Sequence, residues 1–436
     1  MTALRGMTCQ SLLKACMPNV DLAAYTGREQ AYIKHCLLEN YLPDWGYKIG
    51  SAWDDLVFID GFAGPWRVAD ADLSDSSFSV AINALKKMQS GLEHARGRKI
   101  RVRSILVERR KSALHKLQSF AQRHTTPGFD VHAIGGCFTE RLNEITHLIS
   151  RSRGKTFRFV FLDPKGWKDI PMPVLARFLN ARSCEVLINL MARHAVRFLE
   201  QNDRKDSYDA LFGRVEAMQV LRNTAKHRKL SVMLQEYCLS LKLLCGFKYV
   251  SAAAILEPNE EAIRYFLVFG TNHPRGIEVF KKAEQVATRI QNKVRFATIF
   301  GRKCQGEFDM SAAPALKTKI VYELRNQYIA MAMERVIEDL LKGEKSLGVP
   351  YCDLFARAME LPLVSPEDLI EGIKDLPSVK MVLQGERRRS PSVENAENDR
   401  VVVIDRKALE QQLAILKSRS VANETASPGD LGLAVN

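Results

Sequence analysis

The chain has 436 residues, a length that corresponds to two or three domains at roughly 100–200 residues per domain. Hydrophobic residues make up 46% of the chain, enough for substantial cores. Lysine and arginine number 64 against 50 acidic residues, a formal net charge of +14, and this excess favours a polyanionic partner such as DNA or RNA. No apolar stretch approaches the roughly 18–20 residues of a membrane-spanning helix, and the N-terminus shows no signal-peptide pattern, so we expect a cytoplasmic protein without a membrane partner.

The N-terminal segment, residues 1–55, is predicted to be helical. Apolar residues recur at helical spacing across residues 25–42, and Pro43 is expected to close this helix. Lys34 lies on or near the polar side of the helix, where we expect it to be only solvated.

Apolar runs too short for buried helices alternate with segments of helical spacing across residues 56–191. The runs fall at residues 56–60, 100–107, 129–134, 157–162 and 184–191. This alternation predicts a parallel sheet with helices on both faces. Two later runs, residues 247–256 and 262–270, should pair as an antiparallel hairpin. Five parallel strands and a hairpin predict a Rossmann-like α/β domain of the class I methyltransferase type, assigned to residues 56–310.

The C-terminal part is predicted to form a winged-helix-like domain over residues 317–406. A long helix and two short ones precede two strands that flank a polar, arginine-containing stretch. Ser365 is the expected N-cap of the last helix, in a capping box with the acid three residues on. A generic helical cap is the alternative to the winged helix. Residues 407–436 are expected to form a C-terminal helix and a disordered tail.

The first strand ends in an acid, Asp60, and a turn of small residues follows it. The turn comprises Gly61, Phe62, Ala63, Gly64 and Pro65. Its two glycines let the backbone approach a ligand at the carboxyl edge of the sheet. The string is not G-x-G-x-x-G, so a phosphate clamp is not implied. A tight turn without a ligand is the alternative.

The second strand ends in Glu108. A carboxylate at this position can accept hydrogen bonds from both hydroxyls of a ribose. The alternative is an exposed ion pair with Arg109 or Arg110, which would contribute little. Acids at two consecutive strand ends favour the ligand interpretation.

The fourth strand ends in FLDPKGW, which contains Asp163, Pro164 and Trp167. In amino-group methyltransferases an Asp/Asn-Pro-Pro-aromatic tetrad at this place accepts hydrogen bonds from the target amine, while the ring stacks on a base. Here Lys165 replaces the second proline, and Trp167 comes one residue late. We therefore predict Asp163 as an acceptor for substrate or cofactor, with Trp167 either a stacking ring or simply packed.

A basic string before the second strand is the predicted nucleic-acid contact, because clustered cations bind phosphates. It comprises Arg96, Arg98, Lys99, Arg101 and Arg103. A solvated basic surface is the alternative. The nine cysteines include no C-x-x-C pair and the nine histidines no H-E-x-x-H motif, so we expect no bound metal and reduced, mostly buried thiols.

Several strings together resemble the three-Cys-motif partner (TcmP) family. They are REQAYIKHCLLENYL, VFIDGFAGPW, LVERR, FLDPKGW, VLINL and FLVFGTNHPRG. The sequence departs from the family at Trp66, where glycine is common. The resemblance implies a methyltransferase-like Rossmann domain, an accompanying winged helix and a radical-SAM-like partner protein with a three-cysteine cluster. This chain has no C-x-x-x-C-x-x-C motif, so any iron–sulfur cluster belongs to the partner.

The leading hypothesis is an S-adenosylmethionine-dependent, methyltransferase-like enzyme acting on nucleic acid or a nucleobase. Residues 60–65 would wrap the methionine end of the cofactor, Glu108 would hold its ribose, and Asp163 would orient the target group. The alternative is a catalytically silent adaptor that binds nucleic acid or docks the radical enzyme. A metal-dependent nuclease using Asp60 and Asp163 fits less well, because no third carboxylate supports it.

Overall fold

The computed structural model describes residues 22–64, 73–152, 154–180, 182–199, 205–260, 262–300, 319–344, 347–384, 388, 390–395 and 398–425. The strands are β1 (Asp55–Asp60), β2 (Arg101–Glu108), β3 (Phe129–Gly135), β4 (Thr156–Leu162), β5 (Cys184–Leu190), β6 (Tyr249–Leu256), β7 (Ile263–Thr271), β8 (Val349–Pro350), β9 (Val379–Val382) and β10 (Arg400–Val403). The α-helices are α1 (Glu29–Gly50), α2 (Ser77–Arg96), α3 (Lys111–His124), α4 (Leu142–Ser150), α5 (Met172–Leu179), α6 (Ala192–Arg197), α7 (Lys205–Phe212), α8 (Val215–Arg222), α9 (Lys229–Cys245), α10 (Pro274–Phe300), α11 (Lys319–Lys342), α12 (Tyr351–Ala358), α13 (Pro366–Lys374) and α14 (Arg406–Thr425).

The predicted Rossmann-like sheet is confirmed. Its seven strands lie in the order β3-β2-β1-β4-β5-β7-β6. Neighbouring strands among β1 to β5 pair in parallel, and β7 runs antiparallel to both β5 and β6. Strands β1 and β5 are buried along their whole length, as expected where helices cover both faces. Parallel strands with a terminal antiparallel hairpin make this a class I methyltransferase-type α/β fold.

The strand register brings three acids to one edge of the sheet. Asp60 of β1 is level with Leu106 of β2 and with Phe161 of β4. Glu108 and Asp163 each follow those residues by two positions. All three acids therefore lie at the carboxyl edge, where open parallel sheets bind their ligands.

Helix α1 is longer than predicted. It continues through Pro43 to Gly50, so the prediction that Pro43 closes the helix is wrong. Tyr41 and Trp45, on either side of the proline, pack against Phe159 of β4 at ring-centroid distances of 5.3 and 5.6 Å. A proline inside a helix costs about 3 kcal/mol, and the burial of these two large rings on the sheet offsets that cost.

The C-terminal helices lead into a small sheet, in which β10 pairs antiparallel with both β8 and β9. Ser365 and Asp368 form the predicted capping box at the start of α13. The winged-helix assignment and the domain boundaries stay predictions. The linker before Lys319, most of the polar stretch after Gln384 and residues 426–436 of the predicted C-terminal helix and tail lie outside the described residues.

This C-terminal part packs tightly onto the α/β domain. Ser251 Oγ donates a hydrogen bond to the Met359 carbonyl at 2.6 Å, and Lys281 Nζ donates to the Leu361 carbonyl at 2.7 Å. Lys281 is fully buried and also pairs with Glu284 at 2.8 Å. One hydrophobic cluster runs through both parts of the chain.

Within the ranges described, no helix is both long and apolar enough to cross a membrane. The same residues contain no group of three His, Cys, Asp or Glu side chains placed to hold a metal ion. Of the cysteines that the structure describes, Cys137 is partly exposed and the others are buried and unbridged.

Candidate active site

Asp60 ties the turn after β1 to the start of α2. Its Oδ1 accepts a hydrogen bond from the Phe62 backbone N–H at 3.0 Å, and its Oδ2 accepts one from Ser77 Oγ at 2.9 Å. The side chain is fully buried. Burial raises the pKa of Asp60 to about 7, against the opposing effect of these hydrogen bonds and of the nearby Lys34 ammonium.

The predicted glycine turn packs closely between β2 and β4. A Cβ atom on Gly61 would lie 2.7 Å from Leu162 Cδ2, so only glycine fits there without movement. The Gly61 N–H donates to the Phe161 carbonyl at 3.0 Å, and the Ala63 N–H donates to the Val107 carbonyl at 2.9 Å. These bonds fix the backbone as far as Gly64, whereas Pro65 and Trp66 lie outside the described residues.

Glu108 is buried at the end of β2, with 4% of its side chain exposed. Its Oε1 accepts a hydrogen bond from the Arg110 backbone N–H at 2.6 Å and lies 3.6 Å from Arg110 Nε. The ion pair that sequence reasoning offered as the alternative is therefore present. Both of these contacts are made by Oε1 and neither by the other oxygen, Oε2.

Asp163 is held by two side chains that sequence reasoning did not assign to the site. Lys34 Nζ donates to its Oδ2, and Asn189 Nδ2 of β5 donates to its Oδ1 at 2.7 Å. The Lys34 side chain is 9% exposed and that of Asp163 is 23% exposed. The expectation that Lys34 is only solvated is therefore wrong.

Lys34 is buried because the first turns of α1 lie at the carboxyl edge of the sheet, while the rest of the helix packs on the face of the sheet. Tyr265 Oη on β7 donates to the Gln30 carbonyl at 2.9 Å, which fixes the first turn of α1 one turn before Lys34. The helical pattern alone cannot reveal this, since a lysine opposite the apolar face is usually solvated. Asn189 carried a usable signal, because it is one of two polar residues, with Glu185, in a strand buried along its whole length.

Trp167 is a packed ring. It is 4% exposed, stacks on Tyr208 at a centroid distance of 5.6 Å and lies 5.3 Å from the His194 ring. Pro164 beside it is also buried. The structure therefore agrees with the plainer interpretation of Trp167, since a ring covered in this way has no face open to a base.

The predicted nucleic-acid string lies at the amino ends of the strands, opposite the three acids. Arg103 is buried against Asp55 at 2.8 Å. Arg101 pairs with Asp130 at 2.7 Å and Lys99 with Glu93 at 3.4 Å, while Arg98 donates to the Gly50 and Trp53 carbonyls and pairs with Asp54. Arg96 is exposed at the end of α2. Arg103 thus has no surface to offer a phosphate, and three of the others already have acidic partners.

No family model matches the chain, and no curated protein matches it. Among solved structures, the chain is similar to an O-methyltransferase from Bacillus cereus in complex with SAH, at 12% identity over 60% of this chain and 96% of that one, with a TM-score of 0.30. It is also similar to a putative methyltransferase from Porphyromonas gingivalis W83, at 14% identity over 53% of this chain and 41% of that one, with a TM-score of 0.24. Both TM-scores are low, and the fold assignment rests on the strand order.

Proposed function

We propose that this protein is an S-adenosylmethionine-dependent, methyltransferase-like enzyme that acts on nucleic acid or a nucleobase. The observation that carries the proposal is the pair of buried acids, Asp60 and Glu108, at adjacent strand ends of a class I methyltransferase-type sheet. Bound S-adenosylmethionine would supply an electrophilic methyl group on a positively charged sulfur.

The residues at this edge fit such a molecule. Glu108 Oε2 lies at the strand end where a carboxylate accepts ribose hydroxyls. The turn from Gly61 to Gly64 presents backbone close to Asp60, and Pro65 is assigned to the same turn from the sequence. This turn would receive the methionine end of the cofactor.

A polyanionic substrate is supported by the cations around the carboxyl edge. Arg109 and Lys111 are exposed after β2, and Lys165 and Lys168 are exposed after β4. Arg141, between β3 and α4, is 46% exposed and lies 3.8 Å from Glu144. These cations surround the acids that would hold cofactor and target, so a phosphate backbone bound there would bring its nucleotides to the site.

The adaptor remains a second candidate because of one observation. The carboxylate proposed to orient the target, Asp163, already contacts the ammonium of Lys34. A protein that had lost catalysis would be free to satisfy this acid internally. In either case the proposed protein partner is the radical-SAM-like three-cysteine protein implied by the family resemblance.

Transfer of a labelled methyl group separates the two candidates. The full chain is incubated with methyl-labelled S-adenosylmethionine and total bacterial nucleic acid, and label in the nucleic acid is counted. The enzyme should incorporate label, and Asp163→Asn should remove turnover while leaving S-adenosylmethionine affinity roughly intact. A wild-type protein that binds S-adenosylmethionine and transfers nothing is the adaptor.

A further inference from the structure

The contacts of Asp163 restrict what kind of group it can receive. One of its oxygens faces the Lys34 ammonium, which only donates hydrogen bonds, and the other is held by Asn189 Nδ2 at 2.7 Å. The Asp163 side chain remains 23% exposed and that of Lys34 9% exposed, so a ligand atom that reaches Asp163 lies beside the Lys34 ammonium. The accessible surface therefore combines an anionic acceptor with a cationic donor.

An exocyclic amino group of a base fits this surface poorly. Its N–H groups can donate to Asp163, but its nitrogen lone pair is delocalised into the ring and is a poor acceptor for the Lys34 ammonium. The base would also lack the stacking ring expected of an amino-group site, because Trp167 is buried against Tyr208. Asp163 thus offers an amine an acceptor, but the Lys34 ammonium would have no acceptor on the amine and Trp167 offers no ring face to the base.

A hydroxyl group fits both partners at once. It donates its proton to the carboxylate and accepts from the ammonium, since a hydroxyl has one donor and two acceptor lone pairs. In a polyanion, the hydroxyl that distinguishes one nucleic acid from the other is the ribose 2′-OH.

We propose that the Lys34–Asp163 pair recognises the 2′-hydroxyl of a ribose, which makes RNA the polyanionic substrate and that hydroxyl the methyl acceptor. The assignment of the acceptor rests on the proposed function, whereas recognition of the hydroxyl does not. In the transfer the hydroxyl oxygen would form a bond to the methyl carbon as the bond from that carbon to the cofactor sulfur breaks, leaving the neutral thioether as the product. The hydroxyl proton would pass to the Asp163 carboxylate, whose exposed side returns it to water. Lys34 meanwhile stabilises negative charge on the acceptor oxygen.

Binding of matched oligonucleotides tests the recognition without any cofactor. A short single-stranded RNA and DNA of the same sequence are titrated with the full chain at one salt concentration, by fluorescence anisotropy. We expect RNA to bind roughly tenfold more tightly, the effect of one well-placed charged hydrogen bond. The same RNA carrying 2′-O-methyl groups should bind as weakly as DNA, because it cannot donate to Asp163.

Lys34→Met should bring RNA affinity down to that of DNA and leave DNA affinity unchanged. Lys48→Met is the control, since Lys48 is exposed on the same helix about 20 Å further along it. Equal binding of RNA and DNA by the wild type would overturn the proposal, and so would equal weakening of both by Lys34→Met. If Lys34→Met does not fold, the affinities of the wild type for RNA, DNA and 2′-O-methyl RNA decide whether the 2′-hydroxyl is recognised.

The position of a transferred methyl group separates this inference from the proposed function. Nuclease digestion and mass spectrometry of methylated RNA should place the methyl group on ribose. A methyl group on a base would contradict the assignment of the hydroxyl while upholding a methyltransferase. Failure to bind S-adenosylmethionine would contradict the proposed function, yet the preference for RNA over DNA would still report on the Lys34–Asp163 pair.

Discussion

Asp60 is the acid of the site whose protonation changes near neutral pH. Its burial raises its pKa to about 7, whereas in the unfolded chain the pKa is ordinary, about 3.9. Between these values the folded protein holds a proton that the unfolded chain has released. Stability from this group is therefore fully present at low pH and is lost as the pH rises towards 7.

Asp60→Asn should remove this part of the pH dependence, because the amide keeps the shape of the side chain and does not ionise. Urea unfolding of wild type at about pH 5 and about pH 8 should show a loss of stability, of at most about 1.4 kcal/mol per pH unit. The loss of stability between the two pH values should be smaller in Asp60→Asn than in wild type. Asp54→Asn is the control and should lose as much stability as wild type does, because Asp54 is exposed at the other end of β1. Parallel pH dependence in wild type and Asp60→Asn would contradict the buried, protonated state.

The placement of the three acids at one edge of the sheet followed from the sequence, but their surroundings did not. Asp60, Glu108 and Asp163 each come at or just after the end of an apolar run, which predicts a common edge in a parallel sheet. The burial of Lys34 depends on the packing of the first turns of α1 at that edge, a tertiary contact with Asp163 more than a hundred positions away. Local periodicity contains no information about such a contact.

The two edges of the sheet differ in the availability of their cations. At the amino edge, Arg101 and Arg103 pair with Asp130 and Asp55. At the carboxyl edge, Arg109 and Lys111 are exposed, and no acidic partner for them occurs among the described residues. The sequence identified the basic string at residues 96–103 but could not tell paired cations from available ones, because pairing depends on the strands that pack alongside.

The salt dependence of nucleic-acid binding distinguishes the edges. Arg109→Glu with Lys111→Glu should lower the slope of log affinity against log salt by about 1–2, since each lost phosphate contact removes about 0.7–0.9. The matched control reverses Arg96 and Lys99, which are exposed at the other edge. If the control pair lowers the slope and the first pair does not, the nucleic acid binds at the amino edge, at the basic string of residues 96–103, and not at the carboxyl edge.

The strands were predictable and the end of α1 was not, for related reasons. Strands buried on both faces leave continuous apolar runs, such as LVFID in β1, which are visible without knowing the neighbours. Pro43 signals a helix end locally, but the packing of Tyr41 and Trp45 on Phe159 overrides that signal. The packing energy that offsets the cost of the proline exists only once β4 is in place in the sheet.

At the scale of the whole molecule, the C-terminal part is joined to the α/β domain through buried polar contacts. Glu284 accepts from the Leu363 N–H at 2.8 Å while pairing with Lys281. Deleting the chain beyond residue 310 would leave this fully buried lysine without its Leu361 partner and would expose the shared core. Interface variants therefore test partner docking better than truncation does.

The exposed surface of α13 and its C-cap is mainly acidic. Glu367, Glu371 and Asp375 are exposed there, together with one basic residue, Lys374. Carboxylates inserted into a DNA groove would face phosphates, so we propose that this helix docks the radical-SAM-like partner. Glu371→Lys with Asp375→Lys should abolish co-purification of that partner and leave S-adenosylmethionine affinity unchanged. The same charge change at the exposed Glu344 and Glu410 is the control. Retained co-purification, or an α13 variant that behaves like the control, would contradict the docking role.

The central claim is that the carboxyl edge binds S-adenosylmethionine through Glu108, and isothermal titration calorimetry of the full chain tests it most directly. We expect saturable binding by wild type, weakened by about 1–3 kcal/mol in Glu108→Ala through the loss of charged hydrogen bonds to ribose. Glu93→Ala, which removes a half-exposed acid at the opposite edge, should bind as the wild type does. No detectable binding by wild type at millimolar S-adenosylmethionine, or equal binding by Glu108→Ala, would contradict the claim.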